Sequence, residues 1–151
     1  MTGSLADEPG LRCEPSFIRD RLFLLALAAG PLTTMAMSWL LPGGSRDVSL
    51  LTALYVILWQ PAVEELLFRG LIQGQMGKAP GGRAGIAGLS LANLVTSLLF
   101  ALAHLLHHSA WWAAAVIVPS LVFGFFRERH RQIYSAFILH ATYNGCYLLV
   151  G

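Results

Sequence analysis

The chain has 151 residues, of which 56% are hydrophobic and only 12% charged, and its mean hydropathy is +0.62. A soluble domain carries about 25% charged residues, so this composition points to a membrane protein of one domain. The net charge of +2 is too small and too scattered for a nucleic-acid partner, and two cysteines, Cys13 and Cys146, at opposite ends support neither a disulfide framework nor a cysteine metal site.

Residues 1–16 are polar, carry Pro9, Gly10 and Pro15, and are expected to form a disordered tail. Residues 17–151 then form one transmembrane domain. Its first span, Phe17 to Leu41, is interrupted by Gly30-Pro31. The apolar run before Ala26-Leu27-Ala28 is too short for a signal peptide, which makes this a retained helix. After the turn Pro42-Gly43-Gly44-Ser45 comes span two, Ser49 to Gly74, and then a Gly/Pro-rich loop, Gly77 to Gly85. Span three, Ile86 to Leu106, places Asn93, Ser97, Phe100 and His104 on one face. Span four, Ala110 to Phe126, is short and contains Pro119; Arg127 to Gln132 reads as a basic loop, and span five runs Ile133 to Val150. The predicted fold is therefore an all-α polytopic bundle of about five transmembrane helices around a polar cavity.

With five spans the loop charges fall on two sides. Arg12, Arg19, Arg21, Lys78, Arg83, Arg127, Arg129 and Arg131 share one, and only Arg46 is on the other. Positive residues accumulate on the cytoplasmic side, so the expected topology is N-terminus inside and C-terminus outside, in the cytoplasmic (inner) membrane. Trp39, Trp111 and Trp112 then fall at the outer interface, as an aromatic belt does.

Span two holds Pro61-Ala62-Val63-Glu64-Glu65-Leu66-Leu67-Phe68-Arg69-Gly70. A charge at mid-membrane costs roughly 2.5–3.5 kcal/mol on insertion scales, so such groups face a bundle interior. Glu65 and Arg69, at i and i+4, share a helical face and can pair, which leaves Glu64 available for chemistry. Pro61 deletes one backbone hydrogen bond, frees the carbonyl of Ile57 and kinks the helix one turn before Glu64.

Two further i, i+4 pairs lie in apolar spans: Phe100 with His104, and His140 with Asn144. At a rise of about 1.5 Å per residue, Glu64 lies about 15 Å from the cytoplasmic end of its span, His104 about 25, His140 about 12 and Asn144 about 18. These depths bracket the middle of a hydrocarbon core about 30 Å thick, provided that span three starts late or tilts. A carboxylate, an imidazole and hydrogen-bond donors are what water activation requires. Glu64, His104 and His140 are equally three ligands of a possible zinc site, and a proton or ion pathway or a structural polar network would use the same residue types.

At these residues the chain resembles the CPBP family of intramembrane proteases, the CAAX-processing and bacteriocin-processing group also called ABI. Three signatures occur in family order: Glu64-Glu65-Leu66-Leu67-Phe68-Arg69, Phe100-Ala101-Leu102-Ala103-His104 and His140-Ala141-Thr142-Tyr143-Asn144. The resemblance covers about Ser49 to Val150. It implies an intramembrane endopeptidase that cuts a membrane-anchored protein or peptide near its C-terminus. Carried over residue by residue, it makes Glu64 and His104 the water-activating pair and His140 and Asn144 the oxyanion site, with Glu65, Arg69 and Phe100 supporting. It implies either a glutamate mechanism without metal, which is favoured here, or a zinc enzyme. The alternatives are a proton- or ion-conducting protein and an inactive immunity or scaffold member of the same family.

Overall fold

The computed structural model describes residues 10–40, 48–86 and 88–150. Five helices carry the chain: α1 (Arg21–Leu40), α2 (Leu50–Met76), α3 (Leu91–His104), α4 (Ala110–His130) and α5 (Tyr134–Val150). The architecture is all-α, as composition requires. Three of these, Arg21–Trp39 in α1, α2 and α4, are long and apolar enough to cross a membrane. Leucines at 91, 94, 98 and 102 of α3 are exposed at helical spacing and form an apolar outer face.

Local chemistry sets the helix starts. Ser49, Ser90 and Ser109 each sit in extended backbone and accept the N–H three residues on, capping α2, α3 and α4. Before α3 lies a two-stranded antiparallel hairpin, β1 (Gly85–Ile86) with β2 (Leu89–Ser90), whose turn uses Gly88 at φ +82°. The expected span from Ile86 is therefore corrected: its helix starts five residues later, at Leu91. That late start brings His104 to about 20 Å from the beginning of its helix, nearer the other polar groups.

The expected basic loop at Arg127 to Gln132 is also corrected, because α4 continues to His130 and stops where Arg131 turns left-handed at φ 56°. Its charged side chains are engaged by neighbours. Arg127 Nε donates to the Arg69 carbonyl at 2.9 Å, and Glu128 accepts from Gln73 Nε2 at 2.8 Å and Ser90 Oγ at 2.6 Å. The interruption in α4 falls at Val116, ahead of Pro119.

The expected disordered tail lies outside the described residues at 1–9. Residues 10–16 are tied down: Ile133 N–H donates to the Gly10 carbonyl at 3.0 Å, and Glu14 exchanges two hydrogen bonds with the Gln132 side chain. A 3-10 turn, Pro15–Arg19, leads into α1. Asp20 then bonds His130 Nε2 at 2.9 Å and pairs with Arg129.

Phe17, Phe23, Phe123, Phe126, Leu139 and Tyr143 form one core, between α1, α4 and α5. Phe68, Phe100, Ala101 and Val116 form a second, between α2, α3 and α4. The helices approach closely where a side chain is missing. A Cβ on Gly124 would stand 1.9 Å from Asn93 Oδ1. Small residues at such crossings are how membrane helices come together.

Candidate active site

The long helix α2 is not uniformly α-helical. It widens into π turns at Tyr55–Trp59 and Leu66–Ile72, on both sides of the two glutamates. In the first, the Gln60 N–H reaches back five residues to the Tyr55 carbonyl. The next bond in that register would run from residue 61 to the Val56 carbonyl, and Pro61 has no N–H. The carbonyl that proline leaves without a donor is thus Val56, not Ile57 as the α-helical count predicts. Asn144 Nδ2 donates to it at 2.9 Å.

Past this π turn, Glu64 and Glu65 diverge as expected. Glu65 is fully buried, and its Oε2 lies 3.3 Å from Arg69 Nε. Arg69, also fully buried, spends its Nη2 on the Ser120 carbonyl at 3.0 Å and Ser120 Oγ at 2.9 Å, with its guanidinium 4.8 Å above the Phe100 ring. Glu64 retains 21% side-chain exposure and accepts a hydrogen bond from Gln60 Nε2 at 2.9 Å.

His140 stands between the two carboxylates. Its Nδ1 is 2.8 Å from Glu65 Oε1 and its Nε2 is 3.7 Å from Glu64 Oε2. The ring stacks on Phe123, with centroids 5.1 Å apart. Because a carboxylate only accepts, the short contact puts a proton on Nδ1 and leaves Nε2 for Glu64 and the cavity.

His104 is oriented in a similar way. Its Nδ1 is 2.9 Å from the Phe100 carbonyl, so Nδ1 carries the hydrogen and Nε2 keeps a lone pair. The ring packs on Phe100, its partner on the same face, with centroids 4.5 Å apart.

A cavity of about 260 Å³ brings these groups together, lined by Gln60, His104, His140 and Asn144 along with aromatic and aliphatic side chains. Glu64 is one step from it, bonded to Gln60 and facing His140. Among the described residues no three His, Cys, Asp or Glu side chains are grouped so as to hold a metal ion.

A family model for type II CAAX prenyl endopeptidases, Rce1-like, matches residues 46–146, two thirds of the chain. The chain belongs to this family. No curated protein and no solved structure matches it. All three motifs of this Rce1-like chain fall inside the matched region, and it is a membrane protein of the CAAX protease class.

Sequence reasoning missed four residues of the Rce1-like site. Gln60 precedes Glu64 by one turn, a spacing that was legible. Ser120, Phe123 and Val56 act across helices, through contacts that no local spacing announces.

Proposed function

We propose that this protein is an intramembrane endopeptidase that hydrolyses a peptide bond near the C-terminus of a membrane-anchored substrate, using a water activated by Glu64 and His104. The observation that carries this reading is the placement of His140, bonded to buried Glu65 on one side and facing the more accessible Glu64 on the other.

Glu64 takes a proton from water, with the lone pair on His104 Nε2 as a second acceptor that orients it. The resulting hydroxide adds to the scissile carbonyl carbon, and the carbonyl oxygen becomes an oxyanion. His140, anchored at Nδ1 on Glu65, stands beside that oxygen as one group of the oxyanion site. The Asn144 amide carries two hydrogens, of which Val56 takes one, and the other is available to the same oxygen. When the intermediate collapses the C–N bond breaks, and Glu64 returns its proton to the leaving amine.

The chemistry is assigned to glutamate and not to zinc, because the three candidate ligands are not gathered among the described residues and the Asn144 amide beside them is a hydrogen-bond donor. The membrane is the cytoplasmic one, with the N-terminus inside, on the eight-to-one division of basic residues.

The test is Glu64→Gln. This substitution preserves shape and the Gln60 contact while removing the base, and loss of a general base costs about 10²–10⁴-fold. Purified variant should be folded in detergent yet fail to cut a tail peptide that wild type cuts. Gradient-driven ion flux in liposomes, lost with Glu64→Gln and unaccompanied by any peptide cleavage, would replace this reading with a conducting protein. Activity that chelators abolish and zinc restores would return the metal mechanism.

A further inference from the structure

The two carboxylate oxygens of Glu64 have unlike surroundings. Gln60 and Glu64 stand one turn apart in the α-helical stretch Gln60–Glu65, between the two π turns of α2, so their side chains share a face. Gln60 Nε2 donates to Glu64 Oε1 at 2.9 Å. Glu64 Oε2 is buried and has no hydrogen-bond partner among the described residues. His140 Nε2, 3.7 Å from it, is beyond hydrogen-bond reach.

The neighbouring carboxylate is held differently. Glu65 is fixed by groups that carry or can carry positive charge, Arg69 at 3.3 Å on one oxygen and His140 at 2.8 Å on the other. Glu64 has a neutral amide instead. An amide has no proton to give up, so it anchors a carboxylate without neutralising it. The anchor also has a geometric effect. A glutamate side chain turns about three bonds, the last of them only loosely confined, and fixing one oxygen decides where the other points.

We propose that Gln60 is a positioning residue for the hydrolysis: it anchors Glu64 through Oε1 and makes Oε2 the oxygen that takes the proton from water. The inference rests on the proteolytic reading and adds which oxygen acts and what aims it. The O–H bond of the water breaks, its proton passes to Oε2, and the hydroxide forms its new bond to the scissile carbonyl carbon. Gln60 exchanges no proton in this step. It lies outside the three motifs of the chain, one residue before Pro61. Gln60 is also on the cavity wall, so direct contact with substrate is the rival role. The two roles act on different constants: a group that aims the base is felt in kcat, and one that holds the substrate is felt in KM.

The experiment uses the purified full chain and a set of single-span reporters with varied C-terminal tails, from which the tail that wild type cuts best is taken. Gln60→Met keeps the length of the side chain and removes the donor, and Gln60→Leu serves as a second variant. For either, kcat per folded protein should fall about 10–100-fold, the scale on which a misplaced catalytic group is felt, with KM unchanged. Melting in detergent supplies a readout independent of turnover. Gln60→Met should lower the melting temperature of wild type, and that shift should vanish in a Glu64→Met background, where the carboxylate is gone. A raised KM with kcat intact, or a loss of activity no larger than the loss of folded protein, overturns the proposal. So does a melting shift of the same size with and without Glu64. If wild type cuts none of the tails, the proteolytic reading fails, while the melting cycle still decides whether Gln60 holds Glu64.

Discussion

Asn144 donates to the Val56 carbonyl at 2.9 Å, and Val56 is the group that Pro61 leaves without a backbone donor. A residue of α5 thereby replaces the N–H missing from α2, and the π turn ahead of Glu64 is held from outside its own helix. Asn144 has a positioning role in addition to the oxyanion role proposed for its second N–H.

The two roles separate in a double-mutant cycle. Asn144→Leu should leave the part-buried Val56 carbonyl unpaired, at a cost of about 1 kcal/mol. In a Pro61→Ala background the restored N–H can take that carbonyl, so the penalty of Asn144→Leu should largely disappear. Unfolding in mixed micelles measures all four proteins. Strictly additive penalties would mean that proline and asparagine do not share this carbonyl.

Arg69 is held by Glu65 and Ser120 with no exposure to water, so its loss should be felt as instability. Removing one partner of a buried ion pair typically costs 3–5 kcal/mol. Arg69→Met should therefore lower the yield of folded protein and its melting temperature sharply. Arg69→Lys should be destabilised as well, because an ammonium lacks the planar fork that reaches Glu65 and Ser120 together. A lysine variant that melts with wild type would show that the fork is dispensable.

Gly124→Ala tests the crossing of α3 and α4. The added methyl would meet Asn93 Oδ1 at 1.9 Å, and Asn93 is itself bonded to the Leu121 carbonyl at 2.9 Å and to Ser97 at 3.2 Å. Overpacking of this kind costs typically 1–3 kcal/mol. Asn93→Gly should relieve the clash, so the double variant is expected to lose less than the sum of the two single losses. Thermal melts in detergent that show simple addition would contradict this account of the crossing.

Asp20 predicts an acid sensitivity. The Arg129 guanidinium and the His130 ring hold its carboxyl well below the usual carboxylate range. A carboxyl depressed on folding stabilises the protein above its unfolded value, about 3.9, and that contribution fades as pH falls through the folded value. Between neutrality and about pH 4 the contribution is intact, and Asp20→Asn should melt below wild type there. At lower pH the gap should narrow. Melting curves recorded from pH 7 to 3 would reveal a constant gap if Asp20 did not titrate this way.

The helices and most of the site were legible because both are written in local spacing. Glu65 with Arg69 and Phe100 with His104 are four-residue relationships, and the structure brings each pair together. Relationships between helices were not legible. Nothing in the sequence marks Glu65 as the partner of His140, 75 residues away, or Ser120 as the anchor of Arg69. Helix boundaries failed where tertiary bonds overrode composition. Arg127 and Glu128 look like loop residues until Arg69, Gln73 and Ser90 are found bonded to them. The displaced carbonyl at Pro61 failed for a different reason: counting four residues back assumes an α register, and this helix is wound in π turns there.

The hairpin ahead of α3 also bears on the surrounding lipid. A helix of 14 residues rises about 21 Å, some 9 Å less than a typical hydrocarbon core. Its exposed leucines offer acyl chains only that much height before they reach hairpin backbone. Lipids beside α3 must shorten or disorder to match, at fractions of a kcal/mol per ångström. The phospholipid around the molecule is then uneven, thin along one flank and of ordinary depth along α2 and α4. Acyl-chain length becomes a control on the enzyme: short-chain bilayers relieve the strain, and long-chain bilayers press on the helix that carries His104.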